Sequence, residues 1–182
     1  MTPIKPRIRI KNALLTAAKN GNVKFLSWAA SAGESLDVRD SDGTTLLHWA
    51  ALRGHSECVR FLLESGANPN ACARTRETPI FGASVRKHTG CVQILLKYGA
   101  DPNIRDNNGG TPLHSAVLGG DAGSVQLLLE HGADPELQTF EGHTARNLAL
   151  LCGNLDCVDL LDAHAGKECL DALWSSRMEA PS

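Results

Sequence analysis

Apolar residues recur in two kinds of short run along this 182-residue chain. One run has the form VRFLL from Val59, VQILL from Val92 and VQLLL from Val125, and each is followed two residues later by Gly-Ala. The other run is rich in Leu and Ala, as in TLLHWAAL from Thr45. Apolar positions spaced three and four residues apart are typical of amphipathic helices. The pattern therefore predicts pairs of short helices, each about nine residues long, which is marginal for a helix alone in water.

These runs return at a fixed interval of 33 residues. Segments starting at residues 7, 40, 73, 106 and 139 read RIRIKNALLTA, DSDGTTLLHWA, ARTRETPIFGA, DNNGGTPLHSA and TFEGHTARNLA, with no insertion or deletion. A fixed period of this length indicates stacked supersecondary units. Neighbouring units then have to bury their Leu and Ala faces against one another.

Turn residues divide each unit. Thr78 and Thr111 stand before a proline, which predicts a helix whose N-cap is threonine and whose first residue is proline, with the threonine oxygen pairing an open backbone donor. Gly54 and Gly120 are predicted to end the first helix. Left-handed glycines are then expected to end the second helix at Gly66, Gly99 and Gly132.

The chain resembles the ankyrin repeat family. The motifs that carry the resemblance are TPLH at 111–114, TPI at 78–80, GH at 54–55 and LLxxGA at 62–67, 95–100 and 128–133. The resemblance implies an all-α ankyrin repeat solenoid of helix-turn-helix-hairpin units, with five repeats including both caps. The repeats are predicted at 7–39, 40–72, 73–105, 106–138 and 139–165, after a flexible N-terminus at 1–6 and before a C-terminal helix and tail at 166–182.

Both ends depart from the pattern. Asn12 and Ala13 replace Thr-Pro in the first unit, and ARN at 145–147 replaces PLH in the last, which is expected of capping repeats. After residue 165 the period stops, and Leu170, Leu173 and Trp174 fall on one face of a predicted helix. We expect that helix to be an extra one that covers the end of the stack; a partner-binding tail is the alternative.

Charge is unevenly distributed. Residues 1–105 hold fifteen Lys and Arg against eight Asp and Glu, a net of +7, and residues 106–182 have a net of −9. Such polarity can steer a partner of mixed or acidic charge. No segment has the length of a membrane span, and a basic transit peptide is disfavoured because residues 7–33 follow the repeat register. Six scattered cysteines favour reduced thiols in the cytoplasm or nucleus.

Candidate chemistry is sparse. His48 and His114 become Leu15, Phe81 and Asn147 in the other units, so we expect the two histidines to brace loops by hydrogen bonds rather than to act as general bases. The glycines at 109–110 lack the spacing of a phosphate loop. The sequence therefore predicts no enzyme, no catalytic residue and no cofactor.

The HxxC pairs at 55–58 and 88–91 look like half of a zinc site. However, Cys58, Cys91 and Cys157 share an apolar helix position, which predicts buried thiols and no metal. Trp28 falls on the apolar face of a second helix and is predicted to lie in the core. Trp49 is expected to pack in the core or between repeats, with ligand stacking as the alternative.

The third repeat breaks two rules. Arg76 and Lys87 stand where other repeats have glycine. If the backbone keeps a positive φ there, each costs on the order of 1 kcal/mol. Function and drift in a tolerant loop both remain open as explanations.

Family resemblance implies a partner on the concave side, formed by hairpin tips and by the exposed face of the first helices. By register, the candidate partner-binding residues are Arg39, Asp42, Leu52, Arg53, Arg74, Arg76, Glu77, Val85, Arg86, Arg105, Asn108, Leu118, Phe140 and Leu151. This surface is basic at one end and apolar at the other, which predicts a protein or peptide partner with acidic and apolar residues. A solvated arginine face is the alternative.

The predicted function is a non-catalytic scaffold or adaptor. An inhibitor that covers a kinase or a transcription factor is the alternative, and nucleic-acid binding is disfavoured by the few aromatics and the acidic second half. No small-molecule substrate and no membrane insertion are expected. Asn70 and Asn103 resemble the hairpin asparagine that is hydroxylated in some animal ankyrin proteins, although a plain turn role is the alternative.

Overall fold

A computed structural model describes the backbone of residues 6–178 and the side chains of residues 10–166. That part of the chain folds into helices joined by turns, without an extended strand, so the predicted all-α class is confirmed. The helices are α1 (Pro6–Lys19), α2 (Val23–Ser31), α3 (Leu46–Leu52), α4 (Ser56–Glu64), α5 (Pro79–Val85), α6 (Thr89–Lys97), α7 (Pro112–Gly119), α8 (Ala122–Glu130), α9 (Ala145–Leu151) and α10 (Leu155–Met178). No helix among these residues is both long and apolar enough to cross a bilayer.

The helices form two layers. The first helices of the units, α1, α3, α5, α7 and α9, pack successively against one another, and so do the second helices α2, α4, α6, α8 and α10. The core between them repeats with the sequence. Its fully buried side chains include Leu14, Leu47, Ile80 and Leu113 from one layer and Leu62, Leu95 and Leu128 from the other. Burial of each of these side chains stabilises the fold by about 1.5–3 kcal/mol, which a helix of nine residues cannot gain alone.

Glycine at positive φ ends the helices as the sequence predicts. Gly54 (φ 75°) and Gly120 (φ 70°) follow first helices, and Gly66 (φ 88°) follows a second helix. Side chains meet a cost of about 1 kcal/mol or more in this left-handed region. Arg76 (φ 63°) and Lys87 (φ 59°) adopt it nevertheless, as expected from their register.

Hairpin-shaped loops link the units. Isolated backbone bridges join Arg39 to Thr45 and Gln138 to Thr144 across two of these loops. In the second unit the Asp40 carboxylate accepts hydrogen bonds from the backbone N–H groups of Asp42 and Thr44, both at 3.0 Å. These bonds satisfy the loop backbone without a sheet.

The C-terminal helix differs from the expectation. α10 continues without a break from Leu155 to Met178, so the boundary predicted at 165/166 lies inside a helix and the extra helix is an extension of the last repeat. The physical reason is register. Ala165 and Glu168 stand where Gly132 and Pro135 stop the preceding repeat, so neither terminator is present.

Several predictions fall at the edges of the described residues. Leu170, Leu173 and Trp174 lie beyond the described side chains, so what they contact stays a prediction. Of the segment predicted to be flexible, residues 1–5 lie outside the described backbone and Pro6 begins α1.

Trp28 was wrongly assigned to the core. Its side chain is 55% exposed, and its ring lies 5.5 Å from that of Phe25. In the third unit the equivalent Ile94 is buried, because repeats flank it on both sides. Trp28 belongs to the first repeat of the described chain, which has a neighbour on one side only.

Candidate partner-binding face

The predicted partner residues occupy two kinds of position. We call the surface that they define the first-helix face. Its hairpin members are Arg39, Asp42, Arg74, Arg76, Glu77, Arg105, Asn108 and Phe140, and its members at or beside the ends of first helices are Leu52, Arg53, Val85, Arg86, Leu118 and Leu151. All are exposed except Leu52 and Arg105, which are half-buried.

An apolar ladder runs along the ends of the first helices. Leu52, Val85, Leu118 and Leu151 occupy the same position in successive repeats. Their exposure increases toward the C-terminal end, from half-buried Leu52 through 44%, 51% and 72% for the other three. Phe140, at a hairpin tip, is 73% exposed. Together the four residues of the ladder form a series of apolar side chains that recurs at the repeat interval.

The arginines of this face fall into two groups. Arg39 Nη1 donates to the carbonyls of Gly43 and Cys72 at 3.2 and 3.3 Å, which fastens neighbouring hairpins. Arg105 fastens the hairpins of the fourth and fifth repeats, because it donates to Gly109 O and Gln138 O and lies over the Phe140 ring. The candidate list missed these structural roles.

The other arginines of this face leave their guanidinium groups unpaired within the described part of the chain. The guanidinium groups of Arg53, Arg74, Arg76 and Arg86 form neither a hydrogen bond nor an ion pair with the described side chains or backbone. All four are exposed. They therefore carry unneutralised positive charge, beside the apolar ladder at Arg53 and Arg86 and in the third hairpin at Arg74 and Arg76.

His48 and His114 brace the hairpins, as predicted. His48 Nδ1 accepts from the Thr45 backbone N–H at 3.2 Å, so Nε2 carries the proton and donates to Glu77 O of the next repeat at 3.1 Å. His114 makes the same contacts with Thr111 and with His143 O. Burial lowers the pKa of both imidazoles, which keeps them neutral.

The third repeat lacks this brace. Phe81 stands in the histidine position and has no ring nitrogen. Thr78 is still the N-cap of α5, but its buried Oγ1 has no hydrogen-bond partner, contrary to the predicted cap bond. Ala73 also replaces the loop aspartate at position 40, so this hairpin has fewer internal bonds.

The junctions between repeats explain Lys87. At three junctions a glycine is followed 34 residues later by a side chain that fills its space: Gly21 by His55, Gly54 by His88, and Gly120 by Asn154. A Cβ on any of these glycines would come within 2.7 Å of that side chain. At the fourth junction both partners change.

Lys87 replaces the glycine there, and Asp121 replaces the His or Asn. Asp121 instead accepts from Thr89 Oγ1 of the third repeat at 3.0 and 3.1 Å and from the Ser124 N–H at 3.2 Å. The lysine at positive φ is therefore sterically matched to its neighbour.

Trp49 packs between repeats. Its Nε1 donates to Asp40 Oδ2 at 3.0 Å, and Lys19 Nζ lies 3.9 Å from the ring centroid. Although burial raises the pKa of Asp40, hydrogen bonds from Thr44, Trp49 and Asp42 outweigh it and hold that pKa below its ordinary value. The cation–π contact shows that this ring attracts a positive charge.

Asn70 and Asn103 are bridges between repeats. Asn70 Nδ2 donates to Gly99 O at 3.0 Å, and its Oδ1 accepts from the Asp101 N–H at 2.8 Å. Asn103 makes the equivalent pair of bonds to Gly132 O and Asp134 N, both at 2.8 Å. Their amides therefore have a structural role, and the modification of either stays a prediction.

The first repeat lacks such a bridge. Asp37 occupies the equivalent position and cannot donate to Gly66 O. A recess of about 740 Å³ opens there between the loops after α2 and α4, with Leu46 and Leu62 among its lining residues. Sequence reasoning missed this recess, although the replacement of Asn by Asp37 signals it.

The three cysteines that share an apolar helix position are buried, as predicted. Cys58 and Cys91 are fully buried and Cys157 is 1% exposed, and burial raises the pKa of all three thiols. His55, the histidine of the first HxxC pair, has its Nε2 hydrogen-bonded to the Lys19 carbonyl at 3.0 Å. Among the described residues, no three His, Cys, Asp or Glu side chains are grouped as a metal site requires.

Comparison with known proteins gives partial matches along the chain. A human protein, ankyrin repeat domain-containing protein 29, is 43% identical over 67 residues, which are 36% of this chain and 22% of that protein. Rat oxysterol-binding protein-related protein 1 is 39% identical over 74 residues, which are 40% of this chain and 8% of that protein.

A rice protein, calmodulin-binding transcription activator CBT, is 56% identical over 39 residues, which are 21% of this chain and 4% of that protein. Each alignment therefore spans less than a quarter of the relative.

The family model described as ankyrin repeats (three copies) matches residues 5–73 and 80–171, which is most of the chain. Ankyrin repeats are generally protein–protein interaction modules and are typically non-catalytic. With its 33-residue helix pairs and histidine-braced hairpins, this chain belongs to the ankyrin repeat family.

Proposed function

We propose that the chain is a non-catalytic scaffold or adaptor that binds a partner protein or peptide on the first-helix face. The observation that carries the proposal is the pairing of two features at the same helix ends. Val85, Leu118 and Leu151 expose apolar side chains, and the free guanidinium groups of Arg53 and Arg86 lie next to Leu52 and Val85 in the chain. Arginine is enriched in interface hot spots, and exposed apolar side chains gain free energy when a partner removes them from water.

The repeat spacing constrains the partner. Helices that pack directly against each other have axes about 8–10 Å apart, so the rungs of the apolar ladder follow at about that interval. Seven residues of an α-helix rise about 10.5 Å, and three residues of a polyproline II helix, which make one full turn, rise about 9 Å. The partner therefore presents apolar side chains every seventh residue if it is α-helical, or every third if it forms a polyproline II helix.

Charge supplies the second constraint. The free arginines lie in the second and third repeats, whereas Leu118, Leu151 and Phe140 lie beyond them. A partner that binds along the whole face carries acidic residues at one end of its motif and apolar residues at the other. Such complementarity fixes the direction in which the partner binds.

Charge reversal tests this proposal. Arg53, Arg74 and Arg86 are changed together to Glu, and the variant and the wild type are used to capture partners from cell extract. The matched control changes Lys24, Arg60 and Lys97 to Glu, because these are exposed residues of the second helices α2, α4 and α6. The same proteins should be captured by the wild type and the control and lost from the arginine variant. Equal loss from both variants, or loss from neither, would contradict the proposal.

A further inference from the structure

A cavity of about 280 Å³ lies where the second and third hairpins meet the first helices α3 and α5. Its lining includes Trp49 and Leu52 from α3, Gly82 from α5, and Asp42 and Glu77 from the two hairpins. The volume is below the roughly 300–1,000 Å³ of typical small-molecule sites. The cavity therefore has the size for a single side chain.

Gly82 keeps this space open. The same position holds Trp49, Ser115 and Leu148 in other repeats, so a side chain is the rule there. A Cβ on Gly82 would lie 3.6 Å from Leu52 Cβ and Cδ1, which is ordinary van der Waals contact. Glycine inside a helix is less favourable than alanine. Packing inside the fold therefore does not require glycine at position 82. An open cavity does, because a larger side chain would fill it.

One polar group lining the cavity has no partner. Thr78 is 1% exposed, and its Oγ1 is the buried side-chain polar atom without a hydrogen bond in the described part of the chain. An unsatisfied buried hydroxyl is unfavourable unless a ligand or a water pairs with it. Because Oγ1 itself is buried, the groups open to a ligand are the exposed carboxylates of the rim.

The rim attracts cations. Asp42 and Glu77 are both exposed, and neither carboxylate forms an ion pair with a described side chain. Trp49 supplies an aromatic wall, and its contact with Lys19, which lies outside the cavity lining, shows that the indole ring already holds one cation. Two carboxylates and an aromatic ring together fit a guanidinium group, which is planar and carries five N–H donors.

We propose that this cavity binds an arginine side chain of the partner. Its methylene stem would pack over Gly82 and against Leu52, and its guanidinium would stack on Trp49 and donate to the carboxylates of Asp42 and Glu77. The inference rests on the proposed function and adds to it a basic anchor beside the acidic and apolar residues of the partner. The cavity fixes the register of the bound segment along the first-helix face.

A small probe tests the cavity without the partner. N-acetyl-arginine amide is titrated into the ¹⁵N-labelled full-length protein, and the Trp49 indole N–H and the Thr78 and Gly82 amides are followed by NMR. N-acetyl-leucine amide serves as the matched probe without charge. Saturable shifts at these three groups with the arginine probe alone are expected. Shifts that do not saturate, or equal shifts with the leucine probe, would overturn the proposal.

Two variants locate the binding. Gly82→Leu fills the cavity and should abolish the saturable shifts. Asp42→Asn with Glu77→Gln leaves the cavity open and changes only exposed positions, so it keeps the inference testable if the leucine variant does not fold. We expect its affinity for the arginine probe to fall at least tenfold, and an unchanged affinity would contradict a role for the rim.

The outcome is separable from that of the proposed function. Binding of the probe without capture of any partner would refute the scaffold proposal alone. Capture that depends on the arginines, without binding of the probe, would refute the cavity proposal alone.

Discussion

His48 Nε2 donates a hydrogen bond to the carbonyl of Glu77, 3.1 Å away and 29 residues further along the chain. The bond joins the second repeat to the hairpin of the third. The second bond of the ring, which Nδ1 accepts from the Thr45 N–H, requires a neutral imidazole. His114 repeats the arrangement toward His143. Two buried neutral imidazoles thus fasten successive hairpins.

Acid should weaken these fasteners. The pKa of His48 and His114 is lowered by burial from the ordinary 6.5, so the unfolded chain takes up protons that the folded chain refuses. The contribution of the two histidines to the free energy of unfolding is therefore fully present above pH 6.5. It is lost as the pH falls from there through the folded pKa values. We expect the free energy of unfolding in urea to be lower at about pH 5.5 than at about pH 7.5.

A double variant isolates this effect. His48→Gln with His114→Gln keeps a side chain that can bond but not titrate. Its free energy of unfolding should change less over the same pH range than that of the wild type. An equal change would assign the acid sensitivity to other groups.

Restoring the missing brace should stabilise the third repeat. Phe81→His would place a ring nitrogen beside Thr78 Oγ1 and bring Nε2 toward Gly110 O, which corresponds to Glu77 O and His143 O in register. A hydrogen bond that satisfies a buried group adds about 1 kcal/mol. Urea unfolding should show a gain of that size for Phe81→His and none for Phe81→Leu, which has no nitrogen. Destabilisation by histidine would contradict the comparison between repeats.

Two glycine substitutions should have opposite signs. Gly82→Ala fits beside Leu52 within α5 and should raise the free energy of unfolding by about 0.5–1 kcal/mol. Gly66 has no atom within 4 Å of a built Cβ, but its φ is 88°, so Gly66→Ala should lower it by about 1 kcal/mol through backbone strain alone. Thermal or urea unfolding of both variants checks the signs. A loss of stability in Gly82→Ala would mean that packing inside the fold requires glycine there.

The Lys87–Asp121 junction predicts strong coupling. Asp121→His alone would place an imidazole where the Lys87 Cβ lies, since the equivalent Cβ on Gly54 would lie 2.6 Å from His88 Nδ1. Lys87→Gly removes that clash. In a double-mutant cycle, we expect the histidine to cost at least about 1 kcal/mol less when residue 87 is glycine. Additive effects would contradict the steric match.

The sequence predicted most of the backbone because each local signal agrees with the period. Thr-Pro before α5 and α7, and glycine at positive φ after the helices, act within a few residues of where they stand. The positive φ of Lys87 could be predicted for the same reason, because the equivalent residues in two other repeats are Gly54 and Gly120.

Features that depend on neighbours were harder to predict. Trp28 is apolar and in register, yet it is exposed because only one repeat packs against it. The structural role of Arg39 and Arg105 could not be predicted from sequence, because it depends on a carbonyl of the next hairpin lying within reach. The cavity depends on Gly82. The sequence shows that Gly82 is equivalent to Trp49, but the space beside it forms only when α3 and α5 pack together.

Hydrogen exchange with and without a captured partner tests the central claim most directly. Binding on the first-helix face should slow amide exchange in the hairpins around Asp42, Glu77 and Asn108 and at the helix ends around Arg53 and Arg86. The second helices α2, α4 and α6 should exchange at unchanged rates. Protection confined to those second helices would show that the partner binds the opposite layer, and it would contradict the account.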